Sequence, residues 1–130
     1  MMTDRTKTIL YRSFMIAGII ILLILLLGID ELFPQFKPLF DNWGYLMLAW
    51  GLAIKPLDPD DLESSNIWLP AIFTASCLLW SLDDYRDIQN YTTPMAVSLV
   101  LHAVGTLAAA AMIVMKAREY KALKKMADNN

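Results

Sequence analysis

The chain has 130 residues, 57% of them hydrophobic and 18% charged, and its mean hydropathy is +0.44. A water-soluble domain of this size cannot bury so much apolar surface, so the composition is that of an integral membrane protein. Little chain is left outside the apolar stretches, which excludes a separate soluble catalytic domain, a zinc-finger-like module and a disulfide scaffold; Cys77, the single cysteine, has no partner in the chain.

Residues 13–29, 64–82 and 88–115 contain no Asp, Glu, Lys or Arg and read as membrane spans. The first span is expected over 9–29. Its roughly 21 residues at about 1.5 Å each cover roughly 30 Å, the thickness of a hydrocarbon core. Arg12 can carry its head group to the membrane surface while its stem stays in lipid. The run is too long for a signal peptide and ends at Gly28, Ile29, Asp30 and Glu31 without a small-residue cleavage pattern, so an uncleaved anchor is expected.

The second span is the short one. Its uncharged window, 42–54, suits a re-entrant or interfacial segment, but extension to 39–57 places Asp41 and Lys55 at opposite ends, each within reach of a head group. In the connection after it, Asp58 and Pro59 form an N-cap and first-position pair, and Asp60, Asp61 and Glu63 favour the positive end of a short helix rather than a calcium loop, which would need a glycine and a different spacing. The third span is expected over 66–82, followed by a solvated acidic loop carrying Asp83, Asp84 and Asp87. The fourth, 94–115, is opened by Thr93 as a cap and Pro94 at the first position. Nothing breaks that helix afterwards, and 116–127 reads as a basic amphipathic continuation with Ala117, Tyr120, Leu123 and Ala127 opposite Lys121, Lys124 and Lys125.

Net charge is −2, but both tails are basic and the connections are mainly acidic. The positive-inside bias therefore places both termini in the cytoplasm and requires an even number of spans. The expected fold is all-α: an antiparallel bundle of four transmembrane helices, both termini cytoplasmic, in the inner membrane of a bacterium. Phe33, Phe36, Phe40, Trp43, Trp80, Tyr85 and Tyr91 then fall at the outer interface as an aromatic belt.

His102, the single histidine, lies mid-span, where an ionisable group is a candidate proton carrier, haem ligand or quinone partner. The alternative is that a neutral imidazole bonds across a helix interface, with Ser98, Gly105, Thr106 and Ala109 on the same side of the helix. No carboxylate lies in the core of a span, and there is no Ser-His-Asp set, metal-ligand histidine pair, phosphate loop or CxxC motif. The first span from Ile19 to Leu27 is nearly all Ile and Leu, a lipid-facing texture. Gly105 and Ala108 to Ala111 of the fourth, with Gly44, Ala49, Gly51 and Ala53 of the second, allow close backbone approach, so these two spans are expected to form the packed centre and to leave small residues for a partner.

The expected function is that of a non-catalytic subunit or accessory protein acting through helix contacts, as a homo-oligomer or with other membrane chains, and without a cofactor. A haem- or quinone-associated anchor around His102, and a homo-oligomeric channel or small-solute carrier, are the alternatives. Lys121, Lys124 and Lys125 are expected to meet anionic lipid rather than nucleic acid. The charge pattern makes one directly measurable prediction: a cysteine placed at Gln35 in a Cys77→Ser background reacts with a membrane-impermeant maleimide added from outside the cytoplasm. Labelling of that position from the cytoplasmic side alone would overturn the orientation.

Overall fold

The computed structural model describes residues 3–28, 32, 37–90 and 92–129, with backbone only for 37–42 and 94. Among the described residues there are four α-helices, α1 Asp4–Leu26, α2 Lys37–Ile54, α3 Ser65–Arg86 and α4 Thr93–Asp128, with a 3-10 turn at Ile88–Asn90. α1, α3 and α4 are long and apolar enough to cross a membrane, whereas α2 is shorter, with its apolar part at Trp43–Ile54.

Local chemistry sets most of the ends. The Thr3 hydroxyl accepts from the Thr6 N–H at 3.2 Å and Asp4 faces the positive end of the helix dipole, so α1 starts before the apolar run does. It stops at Gly28, whose φ of 74° only a glycine adopts without strain and whose N–H returns to the Leu25 carbonyl at 3.0 Å. Ile29, the expected end of the first span, lies outside the described residues, as do Phe33, Phe36 and Tyr91 of the expected belt and the side chain of Phe40. α2 has Pro38 in its first turn, where a missing N–H costs nothing, and ends just before Lys55 and Pro56. α4 is capped at Thr92, one residue before the expected cap and with no side-chain bond, and continues unbroken through Lys116 to Asp128.

Two local expectations fail. No helix starts at Pro59: the Asp58 carboxylate accepts from the Asp60 N–H at 2.9 Å and the Asp58 carbonyl from the Asp61 N–H at 3.0 Å, closing a single turn. A short acidic helix there would have no apolar stripe to dock, and a few residues do not support a helix alone. At the other end of α3, Asp83 and Asp84 belong to the last helical turns rather than to a loop, and only Asp87 lies beyond, as the C-cap. The Ser81 side chain, in the turn before these residues, is bonded to His102 of α4.

α2 occupies the middle. Toward α1 it presents Gly44, Leu48 and Gly51, which meet Ile21 and Leu22, Gly18, and Phe14 and Met15 in that order, so the touching pairs run in opposite directions along the two helices. Toward α4 it presents Trp43, Leu46 and Trp50, and here the numbers rise together, Trp43 with Ser98 and Trp50 with Gly105. Toward α3, Tyr45 lies between Phe73 and Trp80, at centroid distances of 6.3 and 4.5 Å. Leu46 and Ala49 are almost completely buried. α1 packs chiefly on α2, while α3 and α4 also pack on each other. The expected centre of second and fourth spans is therefore redrawn around α2 alone, with α1 as its close neighbour. Isoleucines and leucines outside that contact, Ile16, Ile20, Leu23 and Leu26 among them, are exposed.

The α1–α2 contact predicts an order of stabilities. A Cβ on Gly18 would stand 2.8 Å from Leu48 Cδ2 and 3.0 Å from the Gly44 carbonyl oxygen, and backbone cannot move aside as a side chain can. Overpacking costs about 1 to 3 kcal/mol, with a backbone clash at the upper end, against about 1 kcal/mol of helix propensity gained on replacing glycine by alanine. At Gly51 the nearest atoms belong to Met15, Sδ at 3.1 Å, and the flexible thioether can yield. Thermal unfolding in mild detergent should show a clear drop for Gly18→Ala, a smaller one for Gly51→Ala and almost none for Leu23→Ala. An equal response at all three would show that α1 and α2 do not approach this closely.

Candidate functional site

Ser98, His102, Gly105, Thr106 and Ala109 recur at spacings of three and four, which sets them along one side of α4. The structure turns that side toward α2 and α3. The Ser98 hydroxyl accepts from the Trp43 indole N–H at 2.7 Å, and the Gly105 carbonyl accepts from the Trp50 indole N–H at 2.9 Å. Thr106 donates to the carbonyl of His102 at 2.8 Å, a bond within its own helix, and Ala109 is fully buried. A Cβ on Gly105 would reach Leu46 Cδ2 at 3.0 Å, so this glycine admits a side chain of its own chain. Of the small residues expected to remain for a partner, Gly105 and Ala109 are thus engaged within the chain, while Ala110 and Ala111 are exposed.

His102 is 1% exposed. Its Nδ1 lies 2.6 Å from Ser81 Oγ on α3, and its ring meets the Trp43 ring edge-on at a centroid distance of 5.7 Å. In one tautomer the hydroxyl donates to Nδ1 and in the other the ring N–H donates to the hydroxyl, and both leave the imidazole neutral. The imidazole therefore joins three helices at one level, α4 by its backbone, α3 by the hydroxyl and α2 by the tryptophan. Trp43, expected in an interfacial belt, is half-buried and turned into this contact. The reason is its indole N–H, which in an apolar surrounding needs an acceptor that Ser98 provides. Trp80 and Tyr85 are exposed.

The seam contains residues for which the sequence suggested no packing role. Trp43 and Trp50 are seven apart, two helical turns, so their indoles leave α2 on the same side. Ser81 is a lone hydroxyl near the end of an apolar stretch. Lys116 lies fourteen residues after His102, four turns along the same side of α4, and is 6% exposed with its ammonium donating to the Leu52 carbonyl at 2.8 Å. That spacing was the available signal; its place among tail lysines concealed it. Thr74 on α3 has a buried hydroxyl without a hydrogen-bond partner among the described residues. Lys121, Lys124 and Lys125 are exposed on the continuation of α4, with the Lys124 ammonium 5.9 Å from the Tyr120 ring centroid.

No family model, curated protein or solved structure matches this chain. Its own geometry is what bears on function. Among the described residues no group of three His, Cys, Asp or Glu side chains is arranged to hold a metal ion. The polar side chains instead meet across helix boundaries, where such bonds contribute roughly 0.6 to 2 kcal/mol each.

The His102 contact predicts a pattern of substitutions. His102→Leu leaves the Ser81 hydroxyl without its imidazole partner and should lower stability by about 1 kcal/mol, while His102→Gln, which keeps a donor and an acceptor, should cost less. In a double-mutant cycle with Ser81→Ala the two losses should be less than additive, measured by thermal unfolding in detergent. A haem absorption band in the wild type that disappears in both histidine variants would instead assign the ring to a cofactor.

Proposed function

We propose that this chain is a small non-catalytic subunit of the inner membrane of a bacterium, an antiparallel bundle of four spans with both termini cytoplasmic, which acts through helix contacts with copies of itself or with other membrane chains. The observation that carries this reading is the fate of His102: the ionisable side chain placed deepest in an apolar helix is enclosed by Ser81 and Trp43 of its own chain and links three helices. A packing role makes full use of those contacts.

Two further features support the reading. α2 has 18 residues, which at about 1.5 Å each give roughly 27 Å, close to a hydrocarbon core, and it accompanies α1 from Leu22 to Phe14. The side of α4 opposite the seam is a continuous apolar surface in which Val97, Leu101, Val104, Leu107 and Val114 are exposed, with Ala111 in their midst. Ala111 gives a neighbouring helix room to approach, as the uniform Ile and Leu of α1 do not.

Gly105→Leu is a poor probe of a partner, because its side chain would collide with Leu46 inside the subunit. A photo-cross-linking residue at Leu107 or Ala111 avoids that difficulty. In intact cells both positions should give a protein cross-link of discrete mass, a dimer of this chain or an adduct with another membrane chain, while the same residue at Leu23 on α1 should label lipid. Protein cross-links no stronger at Leu107 and Ala111 than at Leu23 would remove the subunit reading.

A further inference from the structure

The lysine that completes the seam also borders a cavity. Lys116 on α4, Lys7 in the first turns of α1 and Lys55 just past α2 converge on a space of about 540 Å³, a volume within the usual range for small-molecule sites, and Glu119 is the carboxylate on its wall. The contacts these lysines make do not neutralise them. Lys116 donates to a carbonyl, and the Lys55 ammonium stands 5.6 Å from the Tyr11 ring centroid. The lining therefore carries three positive groups against one negative group, one of the ammonium groups being on a buried residue. The rest of the wall is apolar, with Ile54, Leu57, Met112 and Met115 on it. Methionine adapts its shape to an irregular chain, as a lipid tail requires.

A lining that combines three ammonium groups with apolar side chains matches an amphiphile with an anionic head. We infer that this cavity is a binding site for an anionic phospholipid, whose phosphate is held among Lys7, Lys55 and Lys116 while part of an acyl chain lies against Met112 and Met115. Its position fits. The cavity lies at the end of the helices where α1 begins and α2 ends, which the basic tails assign to the cytoplasmic surface, and basic pockets between membrane helices on that side bind phosphate head groups. A phosphate there offsets the repulsion among the ammonium groups and links α1, α2 and α4, whereas α1 otherwise packs chiefly on α2. Exposed Lys121, Lys124 and Lys125 give a diffuse attraction to any anionic surface; the cavity differs in having walls. The inference rests on the helices crossing a membrane and not on a partner subunit, so failure of the cross-links at Leu107 and Ala111 would leave it standing.

Native mass spectrometry of the full chain in a non-ionic detergent, titrated with phosphatidylglycerol or with phosphatidylcholine of the same acyl chains, provides the test. One phosphatidylglycerol should be retained selectively by the wild type. Lys7→Gln with Lys55→Gln, which leaves the Lys116 bond to Leu52 in place, should weaken retention about tenfold or more, and Lys7→Arg with Lys55→Arg should keep it. Lys121→Gln with Lys124→Gln should change it little. Millimolar inorganic phosphate should not displace the lipid. Equal retention of phosphatidylcholine, an equal loss in the tail variant, or no loss in the Lys7 and Lys55 glutamine variant that melts like the wild type would overturn the site. Displacement of the lipid by inorganic phosphate would assign the cavity to a free anion and overturn the lipid reading.

Discussion

The approach of α1 to α2 through Gly18 and Gly44 sets the geometry on which the other contacts depend. At that crossing a carbon added to Gly18 would stand 2.8 Å from the Leu48 side chain and 3.0 Å from the Gly44 carbonyl oxygen, so the two backbones approach closely. Between helices apolar enough to lie in lipid, burial of one more leucine has little driving force, because lipid tails are as apolar as the leucine itself. Close backbone contact and interhelical hydrogen bonds take over that role. With α1 seated on one side of α2, both tryptophans of α2 reach acceptors on α4, Trp50 also meeting Phe14 of α1 at a ring-centroid distance of 5.7 Å, and Tyr45 packs on α3.

Those remaining contacts are polar in a specific way. Two indole N–H groups of α2 find acceptors on α4, and the imidazole of α4 finds a hydroxyl on α3. Each bond fixes register as well as proximity, since a shift of one residue along a helix rotates the side chain away from its partner by about 100°. A short helix can thus be the one that the other three α-helices all touch. Its mixture of Gly, Trp, Tyr and Leu gives it three different faces.

Function follows the same division of surfaces. The inner side of α4 is committed to the chain's own packing, its outer side is apolar with Ala110 and Ala111 exposed, and Lys116, farther along the helix, lines a cavity shared with α1 and α2. One long helix therefore serves internal packing, the proposed contact with a partner and the proposed lipid site without any residue having to do two of these, apart from Lys116.

The sequence by itself determined that the chain is helical and apolar enough for a membrane, and it located most helix ends to within a turn or so. Those features are local: uncharged runs and the Thr93–Pro94 start of α4 act through their immediate neighbours, whereas the stops at Gly28 and before Pro56 fall inside the spans expected over 9–29 and 39–57. It also grouped Ser98, His102, Gly105, Thr106 and Ala109 on one side of α4, because helical spacing is a property of one helix. Only the tertiary structure decided what that side faces, that Gly105 meets Leu46, that Trp43 turns inward and that Lys116 leaves the tail for a cavity wall. The physical reason is that lipid removes the usual guide. In water an apolar stripe marks the buried face, but in a helix apolar all round the inner and outer faces have the same hydropathy, and fit between particular side chains decides between them.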